Sequence, residues 1–242
     1  MMADTERCLF HVHTVRCGHA EAVDDEAYIE KAVELGAERI VFTDHAPFPG
    51  NPFGNRMRYE QLDEYISSLQ RLQKKYAADI AVGIGLEIEY LPGFRKYYEE
   101  LRQIKELDLL LLGQHIYECQ PAVYNFSIPD QQKRKAEEHS GIANAICEGI
   151  RTGYFDAVAH PDRAFRYCGE WQDEYTELSR KIIIAAEKES LPLEINLAGK
   201  EAGYYREEFW KLVPEHHPVI YGVDAHRVEE LERIKGMNFW IF

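Results

Sequence analysis

The 242-residue sequence predicts a parallel α/β fold closed into a barrel, on two observations. Short runs rich in Val, Ile and Leu alternate with longer amphipathic stretches, and nearly every apolar run ends in a histidine or a carboxylate. Alternating strand and helix implies parallel strands joined by right-handed crossovers. Strands that are apolar throughout have both faces covered. Periodicity alone leaves an open doubly wound sheet and a closed barrel equally available. The polar ends separate them: in a closed parallel barrel the C-terminal strand ends converge on one mouth, whereas along an open sheet they are strung out.

In chain order, the first strand, CLFHVH (8–13), carries His11 and His13. The helical stretch DDEAYIEKAVELG (24–36) places Ala27, Ile29, Ala32 and Val33 near one face and closes at Gly36. RIVFTDH (39–45) ends in Asp44 and His45. The stretch 59–76 repeats Leu62, Ile66 and Leu69 at helical spacing. IAVGIGLEIEY (80–90) contributes Glu87, and DLLLLGQH (108–115) contributes His115. After the helical GIANAICEGIRTG comes FDAVAHPD (155–162) with His160. After the helical YTELSRKIIIAAEKE comes LPLEINLAG (191–199), the one strand with no such residue at its end. PVIYGVDAH (218–226) closes the series with Asp224 and His226. No repeat or low-complexity linker interrupts the pattern, so residues 1–242 read as one domain.

Composition narrows the function. Asp and Glu number 42 against 28 Lys and Arg, a net charge of −14, whereas duplex-binding proteins carry a basic balance or stripe. Nucleic acid is therefore not an expected main partner, and the mixed run DQQKRKAEEH reads as a solvated helix face. A small anionic substrate stays accessible, because a few local cations or metals outweigh the global balance. The opening MMADTERC lacks the pattern of a signal peptide, and no apolar run approaches the ~20 residues of a membrane span. The five cysteines are scattered without a CxxC pair, which predicts a reducing, cytoplasmic setting.

Residues i and i+2 of a strand share a side, so His11 and His13 can grip one cation, and Asp224 and His226 repeat the arrangement. His19, in the loop after the first strand, can fold over the same mouth. A lone strand-end histidine is ordinarily a hydrogen-bonded surface residue. Seven of the ten histidines at strand ends or just after them, joined by Asp and Glu at similar places, predict a metal centre. Nitrogen and oxygen donors suit Zn, Mn or Fe. Cys17 reads as packing, and His139, His216 and His217 as surface residues. Asp44 and Asp162 either orient imidazoles or cap helices. No GxSxG elbow or Cys–His pair offers a side-chain nucleophile. Arg163 and Arg166 in HPDRAFR and Lys200 in INLAGK are candidates for holding an anionic substrate, while Arg206 reads as a solvated charge.

Six motifs in order, HVHTVRCGHA, FTDHAPF, GLEIEY, GQH, AHPDR and VDAH, resemble those of the PHP (polymerase and histidinol phosphatase) family, most of all its histidinol-phosphate phosphatase branch. The resemblance runs from Phe10 to His226. It implies a distorted (β/α)7 TIM-like barrel with three divalent metal ions. His11, His13, Glu87 and Asp224 would hold one; Glu87, rather than Glu89, would bridge to a second held by His115 and His160; His19, His45 and His226 would hold the third. It also implies attack of a metal-bound hydroxide on a small phosphate monoester, L-histidinol phosphate first. A PHP-type nuclease or nucleotide phosphatase is the alternative within hydrolases, and a non-catalytic metal-binding regulatory domain the alternative outside them.

Overall fold

A computed structural model of the chain describes residues 7–235; the opening residues 1–6, read above for a leader, lie outside them. Seven parallel strands form one sheet: β1 (Cys8–Val12), β2 (Arg39–His45), β3 (Ala81–Ile88), β4 (Leu109–Leu112), β7 (Ala157–Val158), β8 (Leu193–Asn196) and β9 (Val219–Gly222), paired in that order. The ends of the sheet meet. Phe10 O accepts from Val223 N–H at 2.8 Å, Ala225 O from His13 N–H at 2.9 Å, and Val12 bridges Ala225 in parallel. The sheet is thus a nearly closed barrel. All seven predicted strands are present. A small antiparallel hairpin, β5 (Glu118–Gln120) and β6 (Val123–Tyr124), was not foreseen; it sits in the loop after β4.

The strands' alternation sorts two cores. Inward-facing Cys8, Phe10, Val41, Leu109, Leu111, Ala157, Ala159 and Ile220 fill the barrel's closed end. Outward-facing Leu9, Ile40, Phe42, Ile84, Leu86, Leu110 and Val158 join the shell of helices. The principal helices of that shell are α1 (Asp25–Glu34), α2 (Leu62–Lys75), the short α3 (Arg95–Leu101), α4 (Gln131–Ile150) and α5 (Asp173–Glu189). Gly83 and Gly85 occupy inward positions of β3, where a Cβ would lie 3.1 Å from Val41 and 2.9 Å from Leu109. On α2 the face Leu62, Ile66 and Leu69 is buried as expected, extended by Tyr65 and Leu72. On α1 the buried face is Asp25, Tyr28, Ile29 and Ala32. Val33 is 38% exposed, so the predicted stripe is displaced toward Tyr28, whose larger ring wins the place against Phe42. Gly36 ends the helix with φ +73°. No helix among the described residues is long and apolar enough to cross a membrane.

Leu86 is fully buried between barrel and helices, whereas Ile184 on α5 is 50% exposed. Leu86→Ala is expected to cost about 2–5 kcal/mol and to lower the thermal midpoint by roughly 2–4 °C for each of those. Ile184→Ala should stay within about 0.5 kcal/mol of wild type. Paired melting curves check both, and equal midpoints for the two variants would refute this division of core from surface.

Candidate metal centre

Above the apolar floor of the barrel the inward positions turn to charge. Glu87 on β3 is 1% exposed and Glu194 on β8 is fully buried. Each occupies space left by a glycine on the neighbouring strand side. A Cβ on Gly113 would lie 1.9 Å from Glu87 Oε1, and one on Gly222 would lie 1.5 Å from Glu194 Oε1.

The histidines reach this level by breaking strand regularity. Leu9 and Val12 face outward and Cys8 and Phe10 inward, so plain alternation from Leu9 would send His11 outward. A register shift between Phe10 and Val12, with His11 at φ +71°, turns it in. His11 and His13 share one site as the i, i+2 spacing predicts, and the bulge supplies what alternation from Leu9 does not, turning the pair inward. His160 (φ +32°) and Asp224 (φ +47°) also lie in the left-handed region, where non-glycine residues are uncommon. Three of the predicted ligands therefore sit on strained backbone, a pattern found at functional sites.

Around Glu87 the geometry is tight. Oε1 lies 2.8 Å from His160 Nε2 and 3.6 Å from His115 Nε2; Oε2 lies 3.0 Å from His45 Nδ1, 3.4 Å from His11 Nε2 and 3.6 Å from His13 Nε2. Asp224 Oδ1 is 3.2 Å from His13 Nε2, 3.5 Å from His226 Nδ1 and 3.9 Å from His11 Nε2. The His19 ring stacks over His45 at 5.2 Å and lies 4.6 Å from His226. All nine predicted ligand residues thus gather at one mouth. Donor atoms within 4.8 Å of one another group His11–His13–Asp224, His11–Glu87–His160, His45–Glu87–His115, His13–His45–His226 and Cys17–His19–His226. Cys17, read as packing, is buried but belongs to the last group.

The electrostatics fit a cation. Burial opposes the charge on Glu87, yet His115, His11 and His45 hold its carboxyl well below the usual range. Burial likewise opposes charge on Asp224, and His11 and His13 outweigh it. Burial also disfavours a charged His13, but Asp224 and Asp44 raise it to about 9. Burial pushes His115 down to about 3 and His226 to about 2, which keeps these imidazoles neutral, the form that coordinates metals. His11 Nε2, both His13 ring nitrogens and His226 Nε2 are buried without a hydrogen-bond partner among the described residues. Buried orphan nitrogens are costly and match the donor set that Zn, Mn or Fe would take up.

The other predicted residues divide. Arg163 faces the mouth: it lines both a cavity of about 130 Å³ next to His160 and Asp224 and the larger cleft over the histidines. Its guanidinium makes no hydrogen bond or ion pair among the described residues beyond a stack over Tyr204 at 5.9 Å, and burial, then Arg166, lowers its pKa. Arg166 turns away to Glu138 on α4 at 2.7 Å. Lys200 is exposed and lies over the Tyr205 ring at 5.0 Å. Neither lines the mouth, because each follows its strand by enough residues for the chain to turn outward. Arg206 is no free surface charge: it ties the loop after β7 by donating to the carbonyls of Phe165, Arg166 and Cys168. Asp44 accepts from Thr14 and lies 3.5 Å from His13 Nδ1, a charge contact longer than a hydrogen bond. Asp162 instead accepts from Arg206 N–H and Trp210 Nε1–H. His217 is buried rather than exposed, whereas His216 lies open. Glu89 is neutralised by Arg56 at 2.8 and 3.0 Å and faces His115 Nδ1 at 3.2 Å.

Glu194, Asn196, Arg56, Arg227 and Arg233 were not anticipated. Asn196 lines the small cavity and Arg56, Arg227 and Arg233 the larger one. Arg227 directly follows His226 and was open to the same strand-end reasoning.

The sequence profile of the PHP domain matches residues 10–198. A relative from Deinococcus radiodurans named "Probable histidinol-phosphatase" is 30% identical over 94% of this chain and 89% of its own. A "Histidinol-phosphatase" from Bacillus subtilis is 23% identical over 91% of this chain and 94% of its own. Among solved structures, a candidate histidinol phosphatase from Listeria monocytogenes superposes with TM-score 0.79 at 20% identity, over 96% of this chain and 98% of that one. Histidinol phosphate phosphatase from Lactococcus lactis, solved with zinc, L-histidinol and phosphate, gives 0.70 at 17% identity, over 95% and 91%. At these identities the structural likeness concerns the fold.

Gly113→Ala drives a methyl into Glu87, whereas a Cβ on Gly93 meets nothing within 4 Å. After reconstitution with zinc, Gly113→Ala is expected to retain at least one ion fewer than wild type, and Gly93→Ala to match it. Elemental analysis beside circular dichroism checks this, and a fully loaded Gly113→Ala would refute the placement of Glu87 among the donors.

Proposed function

Because the chain belongs to the PHP domain family, we propose that it is a metal-dependent phosphomonoesterase that hydrolyses L-histidinol phosphate to L-histidinol and phosphate in histidine biosynthesis. The observation that carries this reading is the convergence of nine nitrogen and carboxylate donors on one mouth beside the guanidinium of Arg163, which has no ion pair among the described residues. The names of the curated relatives supply the leaving group.

His11, His13, Asp224 and Glu87 would hold one ion, Glu87 with His115 and His160 a second, and His19, His45 and His226 a third. His45 Nδ1 lies 3.0 Å from Glu87, which supports neighbouring second and third groups. Bound divalent ions supply Lewis acidity: they make water nucleophilic at neutral pH and neutralise phosphoryl oxygens. The chain's own residues do the rest. Arg163 binds a phosphoryl oxygen from the side of the small cavity, and that cavity, lined by Asn196, Tyr204 and Tyr205, receives the organic part of the ester. Asp44 stands beside the His13 ring, and Glu89, held by Arg56, fixes that of His115.

Arg163→Ala is expected to lower kcat/KM by about tenfold or more, since a charge-assisted contact is worth ~1.5–3 kcal/mol. Arg166→Ala should leave kcat/KM within about threefold and act on stability through Glu138. Phosphate release from histidinol phosphate measures both, and the reverse pattern would reassign the phosphate contact.

Wild type is expected to carry two to three ions per chain, as the three donor sets imply. Glu87→Gln removes the shared charge and should cost at least one ion and about 10³-fold in kcat. Glu89→Gln should keep its metal and lose less, because Arg56 and His115 line its carboxylate instead of a second donor set. If Glu89→Gln empties the site while Glu87→Gln stays active, the ligand scheme is wrong.

A further inference from the structure

Glu194 lies mid-strand, fully buried, where no motif pointed. We propose that Glu194 is a positioning residue that fixes the left-handed ligands His11 and His160 together and so sets which nitrogen of His11 faces the metal. This rests on the metal-centre reading above.

The two carboxylate oxygens are used separately. Oε1 lies 2.6 Å from His11 Nδ1, and Oε2 accepts from the backbone N–H of His160 at 3.0 Å. One group on β8 thereby holds a bulged residue of β1 and the residue that ends β7. Those residues have φ +71° and +32°, and such conformations persist only when the surroundings over-determine them. A carboxylate only accepts. Its contact therefore places the proton of His11 on Nδ1 and leaves Nε2 with a free lone pair. That nitrogen faces Glu87 at 3.4 Å and Asp224 at 3.9 Å, the direction in which a shared cation would sit.

Glu194 also has no Lys or Arg partner among the described residues, unlike Glu89, whose charge is spent on Arg56. The other side chain near it is Asn196, whose Nδ2 lies 3.5 Å from Oε2 and donates to Asp224 Oδ2 at 3.1 Å. The negative charge of Glu194 is thus directed into the ligands His11 and, through Asn196, Asp224. A carboxylate behind a ligating imidazole raises its basicity and fixes its tautomer. Gly222 keeps the arrangement possible, since a Cβ there would overlap Oε1.

The test titrates zinc alone, against a competing chelator, into metal-stripped wild type, Glu194→Gln, Gly222→Ala, Glu194→Ala and the double variant Glu194→Ala/Gly222→Ala. Apo-protein melting is recorded alongside. Glu194→Gln keeps the volume but turns an N–H toward one of its two donors. It is expected to weaken the tightest zinc site about 10–100-fold while the apo midpoint falls little. A low-field imidazole N–H proton resonance should be present in wild type and lost in this variant. Gly222→Ala should show a similar loss, and no further loss when Glu194 is already alanine. Should Gly222→Ala fail to fold, Glu194→Gln decides alone. Zinc affinity of Glu194→Gln within about twofold of wild type, or a loss wholly matched by unfolding of the apo variant, overturns the positioning role. Wild type that binds no zinc overturns the metal reading and this inference with it.

Discussion

A single carboxylate, Glu87, lies within 3.6 Å of nitrogen atoms from five imidazoles, at 1% exposure. That crowding dictates much of the molecule. The five rings come from β1 and from the ends of β2, β4 and β7, so these strands must point the same way and their sheet must curl until they meet. Closure between β1 and the segment after β9 then brings Asp224 against His13. Burial of a carboxylate is expensive unless charge is shared around it, and the neighbouring imidazoles supply that here. Space is as tightly constrained as charge: Gly113 and Gly222 are the positions at which a side chain would evict Glu87 or Glu194.

The apolar shell is what lets such a site persist. Left-handed backbone at His11, His160 and Asp224 costs on the order of 1–3 kcal/mol each, and domains are stable by only about 5–15 kcal/mol in total. The strain is therefore a sizeable share of the margin. It is offset locally, by Glu194 on the His160 amide and by the Ala225 N–H to His11 carbonyl bond at 3.1 Å. It is offset globally by the packing of Leu86, Phe42, Tyr65 and their neighbours outside the barrel. Strands and the residues just after them carry most of the donors, and the loop after β2 brings Arg56 to the cleft.

The strands and the nine clustered residues were legible in the sequence because both follow from simple rules: apolar runs bounded by polar ends, and parallel strand ends that share a mouth. What escaped follows no such rule. Glu194 stands two residues before a strand end, in LEIN, the same pattern as LEIE around Glu87; reading only strand ends hid the likeness. Arg56 comes from a long loop, whose path no periodicity reveals. The bulge at His11 is a backbone event with no local sequence mark, so the right residues were paired for an incomplete reason. Arg166 and Lys200 show the opposite failure. Both are cations soon after a strand, and in each case the chain has already turned away from the mouth.

Charge explains why the site needs more than its own residues to meet a phosphate. The protein carries −14 overall, and the barrel mouth gathers several carboxylates, Glu87, Glu89, Glu194 and Asp224 among them. Of the arginines lining the cleft, Arg56 is committed to Glu89, and Arg233 to Glu201 and Glu230. Arg227 is exposed, which leaves the half-buried Arg163 as the inward-facing cation without an ion pair among the described residues. One guanidinium does not outweigh several carboxylates a few ångströms away, since each unit charge at 4 Å contributes about 4 kcal/mol at an effective dielectric of 20. Divalent cations among the imidazoles would reverse that balance. Glu87 and Asp224, which would repel a phosphate, would then hold its counter-charge in place, and an acidic protein would acquire a local anion site without a basic surface.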